Sequence, residues 1–217
     1  MPVATLAVPL KNWESSDLGI LGCPIDRLTR LFTMYNFIRQ ITEGRVGKTL
    51  ERIKLDYSLD SLGRSLSKQS LEYHYGKLYK AYCDRYNSGE GDADFNEAGA
   101  YLHSIYFSQF QSPKGSNSPS GAVLNLIEEK YKSWEKFKEE FEKVAMSIQG
   151  SGWVYLSSNG TIKTIKNHEI KKDIVLLIDW WEHAWALDYQ ADKKKYLANQ
   201  WKIINWSVIN TRCHPGG

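Results

Sequence analysis

Hydrophobic positions recur along this chain in two rhythms, and the change between them sets the first expectation about its fold. From Asp60 to Asn87, Leu62, Leu66, Leu71, His74, Leu78 and Tyr82 fall near one face of a 3.6-residue winding, and "NSGEGD" ends the run, so the spacing predicts a long helix. A second helix is predicted over about 95–109. The Pro, Gly and Ser of "QSPKGSNSPSG" then interrupt the pattern and set a domain boundary. Helical spacing returns over 122–148, with Leu126, Tyr131, Trp134, Phe137, Phe141 and Val144 on the dry side and Lys and Glu between them. "GWVYLSSNGTIKTIK" reads instead as two strands joined at Asn159-Gly160, and "DIVLLID" as a third, more buried strand. Helix is predicted again from Asp192 through Trp201 to Val208.

The fold class is therefore α+β. A helical hairpin domain over 51–111 precedes an α/β domain over 122–210, whose three-stranded antiparallel sheet is flanked by helices. Residues 1–50 form an N-terminal extension. Behind Pro24, Ile25, Leu28, Leu31, Phe32, Tyr35 and Ile38 keep helical spacing, while Arg27, Arg30 and Arg39 sit off that stripe. Such a stretch suits an organelle-targeting segment, a helix that docks a partner, or a core helix. Glu14, Asp17 and Asp26 count against a simple transit peptide.

Composition narrows the function classes. With 217 residues and 42% hydrophobic content the chain can bury a core, as one domain or two small ones. The excess of 28 basic over 25 acidic residues is small and spread out, which argues against dedicated nucleic-acid binding and leaves room for a small anionic substrate. Cys23, Cys83 and Cys213 are odd in number and contain no CxxC, so neither a disulfide framework nor a cysteine zinc site is indicated and a reducing compartment fits. The longest apolar run, Ile174 to Ile178, is far shorter than a membrane span, so no span is expected.

The histidines bring in chemistry. Four of the five, His74, His103, His168 and His183, lie on elements with an apolar face, and His214 in the tail "CHPGG" is the exception. Asp179 ends the most apolar strand, and His183 follows it by one helical turn. A carboxylate buried there is costly without a cation or hydrogen-bond donors. Three imidazoles and one carboxylate suit a first-row metal, with zinc, iron and manganese all open on donor chemistry.

These residues resemble a known family. "DWWEHAW" is similar to the D-x-W-E-H-A-[YW] signature of the iron/manganese superoxide dismutases, and "YLANQWKIINW" to the segment that follows it. "GSGW" matches the family's middle motif, "HYGKLYKAYCDRYN" its first-ligand helix and "GAYLHSIYF" its second, in order from about Tyr57 to Trp206. The resemblance implies one iron or manganese ion per subunit, held by His74, His103, Asp179 and His183. Tyr82 is then the gateway tyrosine of the substrate funnel, and Trp153 and Trp181 the aromatic wall. His168 stands where manganese-type members carry glutamine and some archaeal-type members histidine, and is the implied hydrogen-bond donor to solvent at the metal. Gly99 is the small residue of members whose donor comes from that later position. Glu182 is the residue that reaches the partner's ligand histidine in a symmetric dimer.

The implied reaction is dismutation: one superoxide gives up its electron, a second takes it with two protons, and oxygen and hydrogen peroxide result. Three positions depart from the family pattern. Leu78 replaces a gateway histidine, Ala186 a tyrosine that crosses the dimer toward that histidine, and Phe107 a tryptophan. They motivate an alternative, a dismutase-like structural subunit of a larger, mitochondrial assembly joined through residues 1–50. A zinc hydrolase ranks third, since no general base beyond His168 is evident. The expected partners are superoxide and a second copy, or near-copy, of the chain. The expected compartment is the mitochondrion, with the cytoplasm as the alternative.

Overall fold

Ser67, rather than Asp60, opens the helix predicted over 60–87. Its side chain accepts a hydrogen bond from the Ser70 backbone N–H at 3.0 Å, and its own N–H is taken by the Asp188 carboxylate at 2.8 Å. Residues 58–66 form turns, with Gly63 at φ 61°. The structure, a computed structural model, describes residues 49–213. The arginine-bearing stretch around Arg27, Arg30 and Arg39, Cys23 and His214 lie outside the described residues. The chain separates into Met1–Lys48 and Thr49–Gly217, and the second unit contains all that is described.

Helix α1 (Lys68–Tyr73) runs into a π-helical segment (His74–Tyr79) and then into α2 (Lys80–Ser88), which Gly89 closes in the left-handed conformation at φ 71°. The π winding matters for the site. Two α turns take about 7.2 residues, and a segment bonded i→i+5 uses more residues per turn. Residues eight apart, such as His74 and Tyr82, thereby return to one face. Helix α3 (Ala93–Ser108) starts at Asp92, whose carboxylate accepts from the Phe95 N–H, and packs against α2.

The single helix predicted over 122–148 is two, α4 (Ala122–Tyr131) and α5 (Trp134–Met146). Lys132 takes φ 72° and stops the first, and Ser133 caps the second by accepting from the Lys136 N–H. The break leaves Trp134, Phe137 and Phe141 buried as the apolar spacing predicts.

Strands β1 (Gly152–Ser157), β2 (Ile162–Lys166) and β3 (Ile174–Asp179) form an antiparallel sheet in the order β2-β1-β3. In the β1–β2 turn only Gly160 takes positive φ (77°). The Asn159 side chain instead accepts from Ser157 Oγ and the Thr161 N–H, giving a longer loop than a two-residue turn. Every residue of β1 and β3 is buried, which explains their lack of polar alternation. Helix α5 packs on β1 and β2, and α3 packs on β3, as does α8 (Trp206–Cys213).

The outer edge of β3 is buried too, so its backbone groups need partners. Gln109 supplies them: its amide nitrogen donates to the Leu177 carbonyl, and its oxygen accepts from the Leu177 N–H. Arg212 adds a hydrogen bond to the Val175 carbonyl at 3.2 Å and another to that of Ile105 at 3.0 Å. Helix α3 is thus fixed against β3.

Helices α6 (Glu182–Tyr189) and α7 (Lys193–Gln200) follow the sheet. The run predicted from Asp192 to Val208 is broken at 201–205, where Asn205 N–H donates to the Gln109 carbonyl at 2.7 Å and Ile204 bridges to Phe110. The sheet and the helices around it bear out the α+β reading. Among the described residues no helix is long and apolar enough to cross a membrane.

Candidate metal centre

Four elements converge on one point. The π segment contributes His74, α3 contributes His103, the end of β3 contributes Asp179 and the first turn of α6 contributes His183. One donor atom from each lies within 4.8 Å of every other. Asp179 Oδ2 is the hub: His74 Nε2 is 3.1 Å away, His183 Nε2 3.2 Å and His103 Nε2 3.8 Å. His74, His103 and Asp179 are at most 1% exposed.

Tautomers follow from the neighbours. His103 Nδ1 lies 2.7 Å from the Gly99 carbonyl, one turn back in the same helix, and must carry the hydrogen; Nε2 then presents a lone pair to the centre. Asp179 is aimed from both sides, because its Oδ1 accepts the Trp181 N–H at 2.8 Å and its main-chain oxygen accepts the Tyr196 hydroxyl at 2.9 Å. Burial pushes the His74 pKa down to about 4, aided by His183, and burial with His74 holds His103 well below the usual imidazole range. Burial alone would raise the Asp179 carboxyl, but the imidazoles of His183 and His74 outweigh it and hold the group well below the usual carboxylate range. The centre is therefore two neutral rings and an anion, arranged as ligands are.

The donor set fits a metal on an independent count. His74 Nε2 and His103 Nε2 are buried with no hydrogen-bond partner; the 3.1 Å approach of His74 to Asp179 is not aligned as a hydrogen bond. Buried polar atoms are seldom left so in native proteins. Two donors bound at about 2.1 Å to a common ion sit no more than about 4.2 Å apart; the three distances to Asp179 Oδ2 satisfy that, while the four donors as a set lie within 4.8 Å of one another.

Around the four lies an aromatic shell. Trp153 is fully buried and meets His103 edge-on at 5.1 Å, and Phe107 fills the space beside His74 at 4.9 Å. Trp181 stacks on His168 at 4.6 Å and on His183 at 5.5 Å. His168 uses both ring nitrogens: Trp153 Nε1 lies 3.2 Å from Nδ1, and Tyr82 Oη 2.9 Å from Nε2. Indole N–H can only donate, so Nδ1 accepts and the single N–H of His168 points at the tyrosine oxygen. Burial pushes the His168 pKa down to about 4 and the Tyr82 pKa up to about 12, the latter helped by the charge of Asp179.

Gly99 has a packing reason beyond its neighbourhood. A Cβ there would lie 2.8 Å from Tyr82 Cδ1 and 2.9 Å from Cγ, so only glycine lets the ring seat itself. Glu182, by contrast, is exposed, beside a groove of about 720 Å³ lined by Tyr73, Lys77, His183, Ala186 and Leu187.

Every residue singled out from the sequence for the centre or its surroundings therefore falls in or beside this one region. The sequence reading missed the hydroxyls of Tyr106 and Tyr196 and the amide of Gln200 behind Asp179. A polar glutamine in the apolar frame of "YLANQWKIINW" was the signal available.

Comparison with known proteins agrees. Residues 119–212 match the C-terminal domain of the iron/manganese superoxide dismutases. A manganese/iron superoxide dismutase of Porphyromonas gingivalis is 35% identical over 76% of this chain and 99% of its own length. An iron superoxide dismutase of Bordetella pertussis is 33% identical over 70% and 92%, and a chloroplastic one of Arabidopsis thaliana 32% identical over 72% and 88%. With its motifs in order and nearly the full length of such relatives covered, the chain belongs to the iron/manganese superoxide dismutase family.

Proposed function

We propose that the chain dismutates superoxide to oxygen and hydrogen peroxide, with His74, His103, Asp179 and His183 holding the iron or manganese ion. The observation that carries this is the convergence of three imidazoles and one carboxylate in an aromatic, buried centre. Iron or manganese bound there supplies a reversible one-electron couple between the two halves of the reaction. The protein supplies geometry, dryness and protons.

His103 is locked as an Nε2 donor by the Gly99 carbonyl, and Asp179 by Trp181 and Tyr196, so their approach does not depend on solvent. Trp153, Phe107 and Trp181 keep bulk water from the centre. Tyr82 is the proton-holding group beside the centre. Its oxygen accepts from His168, so its own hydrogen is free to turn toward the centre, and a pKa of about 12 keeps the phenol protonated at neutral pH. His168 acts through Tyr82, oriented in turn by Trp153.

Glu182 and His183 border the groove that a second copy of the chain fills, with exposed Tyr73 and Leu187 as its apolar contacts. A symmetric dimer places each such patch against its like. The mitochondrial reading rests on the arginine-bearing stretch of residues 24–39, and cell fractionation with an antibody to this chain tests it. The intact centre favours an enzyme over a structural subunit of an assembly.

Elemental analysis and a superoxide-decay assay on the same purified protein test the central reading. Near-stoichiometric iron or manganese with rapid decay is expected; metal-free, inactive protein overturns it. In Tyr82→Phe, metal content stays and activity falls about 10-fold, the scale of outer contacts at metal sites.

A further inference from the structure

Behind the carboxylate of Asp179 lies a second buried polar group, of which the reaction as described uses only the contact from Tyr196. Tyr106 on α3, with Tyr196 and Gln200 on α7, are all fully buried. Tyr196 Oη donates to the Asp179 main-chain oxygen at 2.9 Å, Tyr106 Oη lies 3.0 Å from Tyr196 Oη, and Gln200 Oε1 lies 3.3 Å from Tyr106 Oη. Gln200 Nε2 has no partner.

Counting hydrogens fixes the direction. The Asp179 carbonyl can only accept, so the one hydroxyl hydrogen of Tyr196 is committed to it. The contact between the two tyrosines then needs the hydrogen of Tyr106. That leaves none for the approach between Tyr106 and Gln200 unless the amide is turned half a rotation, with its NH₂ donating to Tyr106. Amide oxygen and nitrogen differ little in shape, and the hydrogen-bond network decides between them. In the turned orientation all three contacts carry a hydrogen, and the position without a partner is held by the amide oxygen instead of by an NH₂. Hydrogen bonds aligned head to tail polarise one another.

We propose that Gln200, Tyr106 and Tyr196 form a one-way hydrogen-bond chain, amide to hydroxyl to hydroxyl to the Asp179 carbonyl, and that Gln200 and Tyr106 are positioning residues for this metal ligand. The inference rests on Asp179 being a ligand, as proposed above. The chain links α7 and α3 to the last residue of β3, where the backbone must leave the sheet while its carboxylate stays aimed at three imidazoles. Without the chain the Asp179 backbone loses polarised support and the carboxylate gains freedom to swing.

Neutron diffraction from the deuterium-exchanged protein as purified tests the direction without any substitution. Deuterons are expected on the Gln200 nitrogen facing Tyr106 and on Tyr106 facing Tyr196; a Tyr106 deuteron pointing at Gln200 overturns the proposal. The consequence is read from Tyr106→Phe and Gln200→Met in metal-loaded protein. Each is expected to release metal to a chelator roughly fivefold faster, the equivalent of one ordinary hydrogen bond, and to shift the visible absorption of the bound metal. The double variant is expected to do no more than either single, because the residues act in series. Unchanged release and absorption, or effects that simply add, overturn the positioning role. If a variant does not fold, the deuteron positions decide. Should the protein hold no metal at all, the reading of Asp179 as a ligand falls, while the direction of the chain remains readable from the same diffraction data.

Discussion

The inner wall of the centre and its outer face are built on opposite plans. On the inner wall, His74, His103 and Asp179 are sealed, and the atoms of His103 and Asp179 that face away from the centre are tied to backbone or buried hydroxyls. On the outer face, the His183 side chain keeps 14% of its surface exposed, Glu182 lies in solvent, and Tyr73 (44%) and Leu187 (49%) stand out beside a groove. The difference teaches where the two jobs lie. Within one chain four donor side chains meet, and the proposed dimer assigns the exposed groove beside His183 to a second copy. Substitutions on the two sides should therefore separate metal binding from association.

The largest effect is expected at the hub. Asp179→Ala removes the one anion that all three imidazoles face, and metal binding should weaken by more than about 100-fold, beyond the range typical of residues one layer out. Elemental analysis after dialysis reads this directly. If Asp179→Ala retains full metal while a change at Glu182 loses it, the division between wall and face is wrong.

Acid probes the same wall without a substitution. In the metal-free protein His74 and His168 have pKa values of about 4 against an ordinary 6.5, so between those limits the unfolded chain binds more protons than the folded one. Stability thus rises with pH across that window. It is fully present above about 6.5 and is lost as pH falls toward 4, by on the order of 3 kcal/mol for each ring. The low pKa of Asp179 extends the loss below pH 3.8. Denaturant melts of metal-free protein at pH 7.5, 5.5 and 4.5 check the slope, and a flat profile contradicts the burial of neutral rings.

Gly99→Ala is a smaller perturbation, at the buried seat of the Tyr82 ring. The added methyl meets the Tyr82 ring at 2.8 Å, and overpacking of this kind costs about 1–3 kcal/mol. Melting should drop by several degrees. Activity should fall with it while metal content holds, because the displaced group is the tyrosine and not a ligand.

The site was far more legible in the sequence than its supports. His74, His103, Asp179 and His183 were readable because ligand chemistry demands particular residue types and the elements carrying them are strongly periodic. Tyr82 came from the family resemblance, and the π winding that brings it onto one face with His74 had no signal in the sequence. Helix ends were read poorly where the cause is remote or untypical. Ser67 is held partly by Asp188, 121 residues on, and Lys132 adopts a left-handed conformation that its residue type does not announce. Gln109 completing the edge of β3, and Gln200 and Tyr106 behind Asp179, are tertiary pairings that no local pattern encodes.

The outer face gives the smallest and most selective prediction. Leu187→Asp puts a charge into the apolar rim of the groove, and in a twofold dimer the change is counted twice across one interface. Association should weaken by about 1 kcal/mol or more for each copy, read as a shift from dimer toward monomer in sedimentation at micromolar concentration. Metal content should not move, since Leu187 is solvent-exposed and one helical turn beyond His183. A protein that is monomeric before the substitution, or one whose metal leaves with the dimer, would join the two regions that the structure keeps apart. The exposed flank of His183 makes the second outcome informative: it would mean that this ligand takes its orientation from the partner.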